Sequence, residues 1–372
     1  MAQLLSDQQV IERIFHHIDN QSTDEGEHLW REPTQNYVSQ SRFQQERQLL
    51  RQLPVAFCPS SVVANVGDYV ARTAAGVPIV VVRGEDGAVR AFRNACRHRG
   101  MQVATGEGCA KVLSCTYHGW TYRLDGRLEY IPHDRGFPGI EKDAYSLVPV
   151  FALESHGLIF VSQDAPIDED FANDLPPLIS DDQKVFASME SGDQINWKLN
   201  VEAAIEGYHI KPTHKETFYP YGYDNLNVVE RFGKNSRVTY PFRRIEKLRD
   251  TPPGERQIDG MVTYVYHLFP NVVIAVLSDH TTMTINEPVS PHETRFFTYR
   301  LSNKAKTMSE DQVARAKRDA QFVSDSGGKE DQAVVRAIQA GLDSGANEHF
   351  TYGRFEKAIA HFHTTLTDEL PG

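Results

Sequence analysis

Several protein classes are excluded by what this 372-residue chain lacks. It has four cysteines, Cys58, Cys96, Cys109 and Cys115, all in its first third, too few and too local for a disulfide framework. Its longest apolar runs, such as 77–82 and 272–277, have the length of single strands and cannot span a bilayer. Residues 1–13 are polar and amphipathic and lack the charged-then-apolar order of a signal peptide, so a cytoplasmic protein is expected. Basic residues are in deficit: 39 Lys and Arg stand against 50 Asp and Glu, a formal charge of −11. That balance argues against nucleic-acid or anionic-membrane binding, because neutralising phosphates requires clustered cations. Repeats and low-complexity tracts are absent as well. What is there, 40% hydrophobic residues over this length, suffices for a real core in two domains.

The order of patterns predicts an α+β chain. Leu5, Val10, Ile11, Ile14 and Phe15 mark one face of a helix, and 39–52 reads as a second. From 54 to 162 short strands alternate with turn residues, as in 77–82, Gly84-Glu85-Asp86-Gly87 and 89–92. A polar, proline-bearing seam follows at 164–177. Then come a helix at 196–209, consecutive strands at 261–269, 272–277, 281–287 and 294–301, and helices at 309–324, 329–342 and 354–366. The expected organisation is N-terminal helices at 1–53 packing on the C-terminal part, an all-β domain at 54–162, and an α+β domain at 163–372.

Two clusters of ligand-type residues carry the chemistry. The first reads Cys96-Arg97-His98-Arg99-Gly100 and Cys115-Thr116-Tyr117-His118-Gly119-Trp120, or C-x-H-x16-C-x2-H. Each loop offers one thiolate and one imidazole, a set that can hold a two-iron cluster with both Cys on one iron and both His on the other. A Cys2His2 zinc site is the alternative, although zinc fingers usually pair like ligands within a loop. These residues resemble a Rieske domain, down to the His-Arg-Gly and His-Gly-Trp sequences; Arg97 and Thr116 stand where proline is common. Neutral histidines raise the reduction potential above that of an all-cysteine cluster, so the resemblance implies an electron relay. Cys58 and Cys109 have no such partners and read as core thiols.

The second cluster lies in Glu206-Gly207-Tyr208-His209-Ile210-Lys211-Pro212-Thr213-His214. His209 and His214 are five apart, on different faces of a continuous helix, but Pro212 disfavours helix at Lys211 and allows a turn that brings both to one metal. Two imidazoles and a carboxylate form the facial triad of non-haem ferrous iron, with positions left open for dioxygen. Glu330 and Asp331 open the helix 329–342, and Asp331 shares a face with Val335, Ile338 and Leu342. Alternatively, both acids simply favour the helix dipole.

With Ile338-Gln339-Ala340-Gly341-Leu342, this stretch resembles the carboxyl-terminal signature of the Rieske non-haem iron oxygenases, terminal (alpha) subunits of the ring-hydroxylating and demethylating family. The resemblance spans residues from about 30 to the end and implies Asp331, rather than Glu330, as the third iron ligand. It also implies an all-β Rieske [2Fe–2S] domain on a helix-grip (Bet v 1-like, START-like) catalytic domain with an antiparallel sheet. The assembly it implies is a head-to-tail homotrimer in which the cluster of one subunit faces the iron of its neighbour. Glu206 holds the place of the carboxylate that bridges the two centres, and as an i,i+3 neighbour of His209 it can reach that ring. Most relatives have Asp there; a minority, including oxygenases that demethylate quaternary ammonium compounds, have Glu. Ala203 replaces a frequent Asn.

For the substrate pocket the candidates are Tyr208, Phe218, Tyr219, Tyr221 and Tyr223, as a wall for a ring or as a cage for a methylated ammonium. A basic stretch, 231–256, could serve a carboxylated substrate or an acidic electron donor. The chain has no flavin- or nicotinamide-binding fingerprint. The expected protein is therefore a terminal oxygenase that uses dioxygen and receives electrons from a separate NAD(P)H-dependent reductase or ferredoxin. Hydroxylation of an aromatic or cyclic organic substrate is the favoured reaction, and oxidative N- or O-demethylation the second. A Rieske electron-transfer protein without oxygenase activity is the alternative of a different class.

Overall fold

The structure, a computed structural model, describes residues 4–168, 170–180, 183–303 and 309–370. The chain divides into two compact units, 47–181 and 1–46 with 182–372. The α-helices among the described residues are α1 (Asp7–Asn20), α2 (Gln35–Val38), α3 (Gln40–Gln52), α4 (Trp197–Ala204), α5 (Ile210–Thr213), α6 (Glu310–Asp325), α7 (Gly327–Leu342) and α8 (Lys357–Glu369). None is long and apolar enough to cross a membrane.

Unit 47–181 is built on a seven-stranded antiparallel sheet. Its spatial order is Val55–Pro59, Leu158–Ser162, Pro149–Ser155, Val89–Arg93, Val77–Arg83, Asp68–Ala74 and Gly106–Cys109. The β-branched run Ile79, Val80, Val81, Val82 is fully buried, as expected of a strand covered on both faces. A three-stranded sheet (Leu113–Ser114, Thr121–Tyr122, Leu128–Tyr130) shares its core, where Val80, Val82, Trp120 and Tyr122 pack with Cys96 and Cys115. Residues 163–181, read from sequence as the start of the second domain, group with this unit instead. Gln163 N–H donates to the Arg51 carbonyl at 2.8 Å, Ile179 N–H donates to His156 at 3.2 Å, and Phe171 packs edge-on against Phe160. The polar composition of the seam hid these anchors.

The other unit holds a seven-stranded antiparallel sheet in the order Val185–Asp193, Glu293–Ser302, His280–Ser290, Val272–Val276, Val262–Leu268, Asn235–Pro241 and Val228–Phe232. Its four middle strands are the four read from sequence. The three outer ones escaped because charged residues interrupt their alternation; Arg237, for example, is buried against Glu230 at 2.6 Å. One face carries α4, α6 and α8. Asn200 of α4 donates to Asn286 at 2.7 Å, Asp319 of α6 pairs with His280 at 2.7 Å, and Phe362 of α8 meets His267 at 5.0 Å. The opposite face takes α1, whose Val10, Ile11 and Ile14 pack with Val228, Val262 and Tyr264.

α4 is the most heavily anchored of these helices. Asn196 caps its first turn and also donates to the carbonyls of Tyr37 and Pro291. The Lys198 ammonium, fully buried, donates to both oxygens of Glu46 at 2.8 and 2.9 Å, and Trp197 Nε1–H donates to the same carboxylate. Glu202 accepts from the hydroxyls of Tyr37 and Tyr352 and pairs with His363 at 2.9 Å. Removing one partner of a buried ion pair strands the other charge. Glu46→Ala should therefore lower stability by about 3–5 kcal/mol, read as a shifted urea midpoint, whereas the double change Glu46→Leu with Lys198→Met should lower it far less.

Candidate functional site

The two loops of the first cluster are built alike. Cys96 N–H donates to the Met101 carbonyl and Gly100 N–H to Cys96; Cys115 N–H donates to Trp120 and Gly119 N–H to Cys115. Gly100 and Gly119 close the loops at φ 79° and 72°, a region costly for other residues. Both thiols are buried, while His98 is half-buried and His118 exposed. The two imidazoles approach Nδ1 to Nδ1 at 3.1 Å, and Trp120 stacks on His98 with centroids 5.1 Å apart and planes at 8°. Tyr122 Oη accepts from Arg97 N–H and lies 3.3 Å from Cys96 Sγ. Burial pushes the Cys96 thiol up, and neighbouring Cys115 adds to this. Paired thiols on an apolar floor, with two imidazoles converging from the solvent side, fit a [2Fe–2S] cluster held by two Cys and two His.

Cys58 is fully buried, and burial lifts its thiol to about 12. Cys109, read as a second core thiol, is instead exposed on the edge strand Gly106–Cys109.

In the other unit the helix expected over 196–209 stops at Ala204. Glu206 ends it: its Oε2 accepts from the amides of Tyr208 and His209, which a continuing helix would have donated to its own carbonyls. The carbonyls of Ala204 and Glu206, left without helical donors, accept from the Tyr240 hydroxyl at 3.0 and 3.1 Å. The chain turns into α5, and His209 and His214 come to lie at its two ends with ring centroids 5.1 Å apart.

α7 supplies the carboxylate. Asp331 Oδ1 lies 2.9 Å from His214 Nε2 and 3.5 Å from His209 Nε2. Ligand atoms of these three residues all fall within 4.8 Å of one another, the arrangement required to hold a metal ion. Each imidazole is fixed from behind by a glutamate. Glu206 Oε1 makes a short bond to His209 Nδ1, and Glu330 Oε2 accepts from His214 Nδ1 at 2.8 Å and from the Thr217 hydroxyl at 2.6 Å. Both Nε2 atoms are thereby aimed toward Asp331. Glu330, the competing ligand candidate in the sequence, occupies the rear of His214, and Asp331 its front.

The front of α7 is seated by a close approach. A Cβ on buried Gly327 would come within 2.0 Å of the Phe218 ring, which in turn packs on His214 at 4.9 Å. Burial opposes charge on His209, but the bonds to Asp331 and Glu206 outweigh it and lift the imidazole to about 10. His214 is raised for the same reason, with burial again opposed by Asp331 and then Glu330. Burial would raise Asp331, yet the two histidines hold it low.

Among the five aromatic pocket candidates, Phe218 alone is brought against a triad imidazole among the described contacts. Tyr208 is exposed and packs on Phe355, and Tyr221 is exposed. Arg243 sits over both Tyr219 and Tyr223, and Tyr223 donates to Glu246 at 2.7 Å. The basic stretch is largely engaged within its own unit: Lys234 with Glu369, Arg237 with Glu230, Arg249 with Asp19, Arg244 with Gly260 and Ser278, and Arg256 with the Leu248 and Thr251 carbonyls. It is a structural feature more than a free patch. Tyr240, Thr217 and Gly327 went unread in the sequence, since each acts through a partner distant along the chain.

Two protein-family models match this chain: the Rieske [2Fe–2S] domain over residues 54–151, and the ring hydroxylating alpha subunit (catalytic domain) over residues 181–372. The carnitine monooxygenase oxygenase subunit of Escherichia coli (strain K12) is 28% identical, with 91% of this chain and 93% of that protein covered. The glycine betaine monooxygenase oxygenase subunit of Chromohalobacter salexigens is also 28% identical, covering 82% and 77%. A crystal structure of a quaternary ammonium Rieske monooxygenase in complex with L-carnitine shares the fold, with a TM-score of 0.77 at 23% identity over 92% of this chain and 96% of that one.

Two outcomes follow for the triad. A metal ion must displace the proton that His209, lifted to about 10, carries at neutral pH, and any proton held by His214, whose pKa is also raised. Ferrous affinity of the metal-free protein, titrated anaerobically, should therefore rise with pH by roughly tenfold per unit for each proton displaced. Glu330→Ala, which frees the rear of His214, should weaken ferrous binding roughly 10- to 100-fold while leaving the cluster's absorbance intact.

Proposed function

Because the chain belongs to the ring-hydroxylating alpha-subunit family of Rieske oxygenases, it is an oxygenase subunit fed by an external electron donor, and we propose that its substrate is a quaternary ammonium compound oxidised at a carbon bonded to nitrogen. When bound, a [2Fe–2S] cluster and a mononuclear iron supply single electrons and dioxygen activation to such an enzyme.

In this reading Cys96, His98, Cys115 and His118 hold the cluster, and His209, His214 and Asp331 hold the iron. Glu206 and Glu330 fix the two imidazole rings, and the carboxylate of Glu206 is the link toward the cluster of a neighbouring subunit in a head-to-tail trimer. Net, the substrate, dioxygen, two electrons and two protons give a hydroxylated carbon beside the nitrogen and water. That product releases an amine, an aldehyde and a proton. N-demethylation is the case in which the oxidised carbon is a methyl.

The observation that carries the reading is the triad, each imidazole backed by a glutamate, in a chain whose long-coverage relatives are named for carnitine and glycine betaine. Hydroxylation of a ring, favoured by sequence, gives way to it. What favours the change is the substrates for which the long-coverage relatives are named; the five aromatic candidates, read as a ring wall or an ammonium cage alike, do not separate the two. The pure electron carrier gives way too, because a catalytic domain occupies 181–372.

The test is reduction of the metal-loaded protein in the presence of glycine betaine or carnitine under labelled dioxygen, with amine and aldehyde followed by mass spectrometry. Ring hydroxylation without any quaternary ammonium turnover would sink the proposal. Metal analysis should find about three irons per chain, two in the cluster and one in the triad. Glu206→Ala, assayed with ferrous ion in excess so that the triad is filled, should lose coupled turnover; full activity in that variant would refute its bridging role.

A further inference from the structure

Residues paired across antiparallel strands point to the same face of a sheet. Arg300 pairs with Thr282, Thr282 with Ala275, Ala275 with Val265, and Val265 with Val238, so all five share one face. It is the face carrying α4, α6 and α8, because Asn286, His280 and His267, which contact those helices, fall in phase with this row. Tyr240, also in phase, reaches the carbonyls at the end of α4 and at Glu206. The metal triad and Arg300 therefore look onto the same side of the same sheet.

Although helices cover this face, Arg300, Thr282, Thr284, Thr298 and Ala275 are only half-buried. Their alternate neighbours Met283, Ile274, Tyr299 and Leu301, on the other face, are buried. The accessible part of this face presents hydroxyls, a methyl and the Arg300 guanidinium.

Arg300 Nε is buried without a hydrogen bond, and Arg300 forms no ion pair among the described residues. Burial pulls its pKa down, with only the field of Asp325 opposing. Asp325 is itself bonded to Lys329 at 2.9 Å and to Gln321. A half-buried guanidinium that feels Asp325 only as a distant field, that carboxylate being bonded elsewhere, keeps an unsatisfied Nε–H, and a planar fork is best satisfied by a carboxylate.

We infer that Arg300 is the anchor for a carboxylate on the substrate, which makes the substrate a zwitterion with its quaternary nitrogen toward the triad and its carboxylate toward the strand Glu293–Ser302. The inference rests on the quaternary ammonium reading for one end of the substrate, while the carboxylate end stands on Arg300.

Calorimetric titration of the holoenzyme with three probes of one shape separates the two. Glycine betaine carries both charges, choline only the ammonium, and tert-butylacetate only the carboxylate. Arg300→Met should weaken glycine betaine roughly 10- to 100-fold, the worth of a charge-assisted hydrogen bond, and leave choline within about twofold. Arg300→Lys, which keeps the charge without the fork, should fall between and serves if the Met variant does not fold. Unchanged glycine betaine binding in both variants, equal loss of choline, or no binding of either carboxylate by the wild type would overturn the anchor. If tert-butylacetate binds the wild type as tightly as glycine betaine and is lost in Arg300→Met, the anchor holds and the ammonium reading fails.

Discussion

Two imidazoles can offer lone pairs to a common point only if their other nitrogens are held from behind. In this protein two glutamates do that holding, Glu206 for His209 and Glu330 for His214, and the rest of the unit is arranged to keep those glutamates in place. Glu206 can turn toward His209 because the helix before it stops, and it stops because that same carboxylate takes the amides of Tyr208 and His209. Tyr240 accepts the consequence by donating to the carbonyls left over. Glu330 reaches His214 because α7 begins with a glycine pressed against Phe218. Local backbone choices and second-sphere chemistry are thus one solution to one constraint.

A centre with this many buried charges needs stiff supports. α4, one turn upstream of Glu206, is gripped by the Lys198–Glu46 pair and by Glu202 with its two tyrosines and His363. Each contact joins α4 to a segment far off in sequence. Burying charge in this way adds little net stability but defines position, since few other placements satisfy every group.

The sequence was most legible where function concentrates ligands in short loops. The cysteine–histidine pairs at 96–98 and 115–118 declare themselves by spacing, and the strands between 261 and 301 by their alternation. It was least legible where charged residues are internal. Arg231 and Arg237 break the pattern of two real strands, and the bases of 231–256 read as a patch although their partners (Asp19, Glu230, Glu369) lie elsewhere in the chain. The helix expected through His209 failed for a reason no propensity encodes, a side chain competing for backbone hydrogens. Glu330 and Asp331 are adjacent acids that helix periodicity does not rank as ligands; the family resemblance favours Asp331, and their opposite sides of His214 give the two different contacts.

The paired loops of the first centre repeat one hydrogen-bond frame, yet the histidine sits two residues after the cysteine in one and three after it in the other. An identical offset would give both rings equal surroundings. The one-residue difference tucks His98 beneath Trp120 and leaves His118 at the surface. Because the two frames have equal length, the histidine has moved by one position within an unchanged loop, and a duplicated scaffold thereby acquires two unlike faces: one ring lies half-buried against an indole, and the other meets solvent.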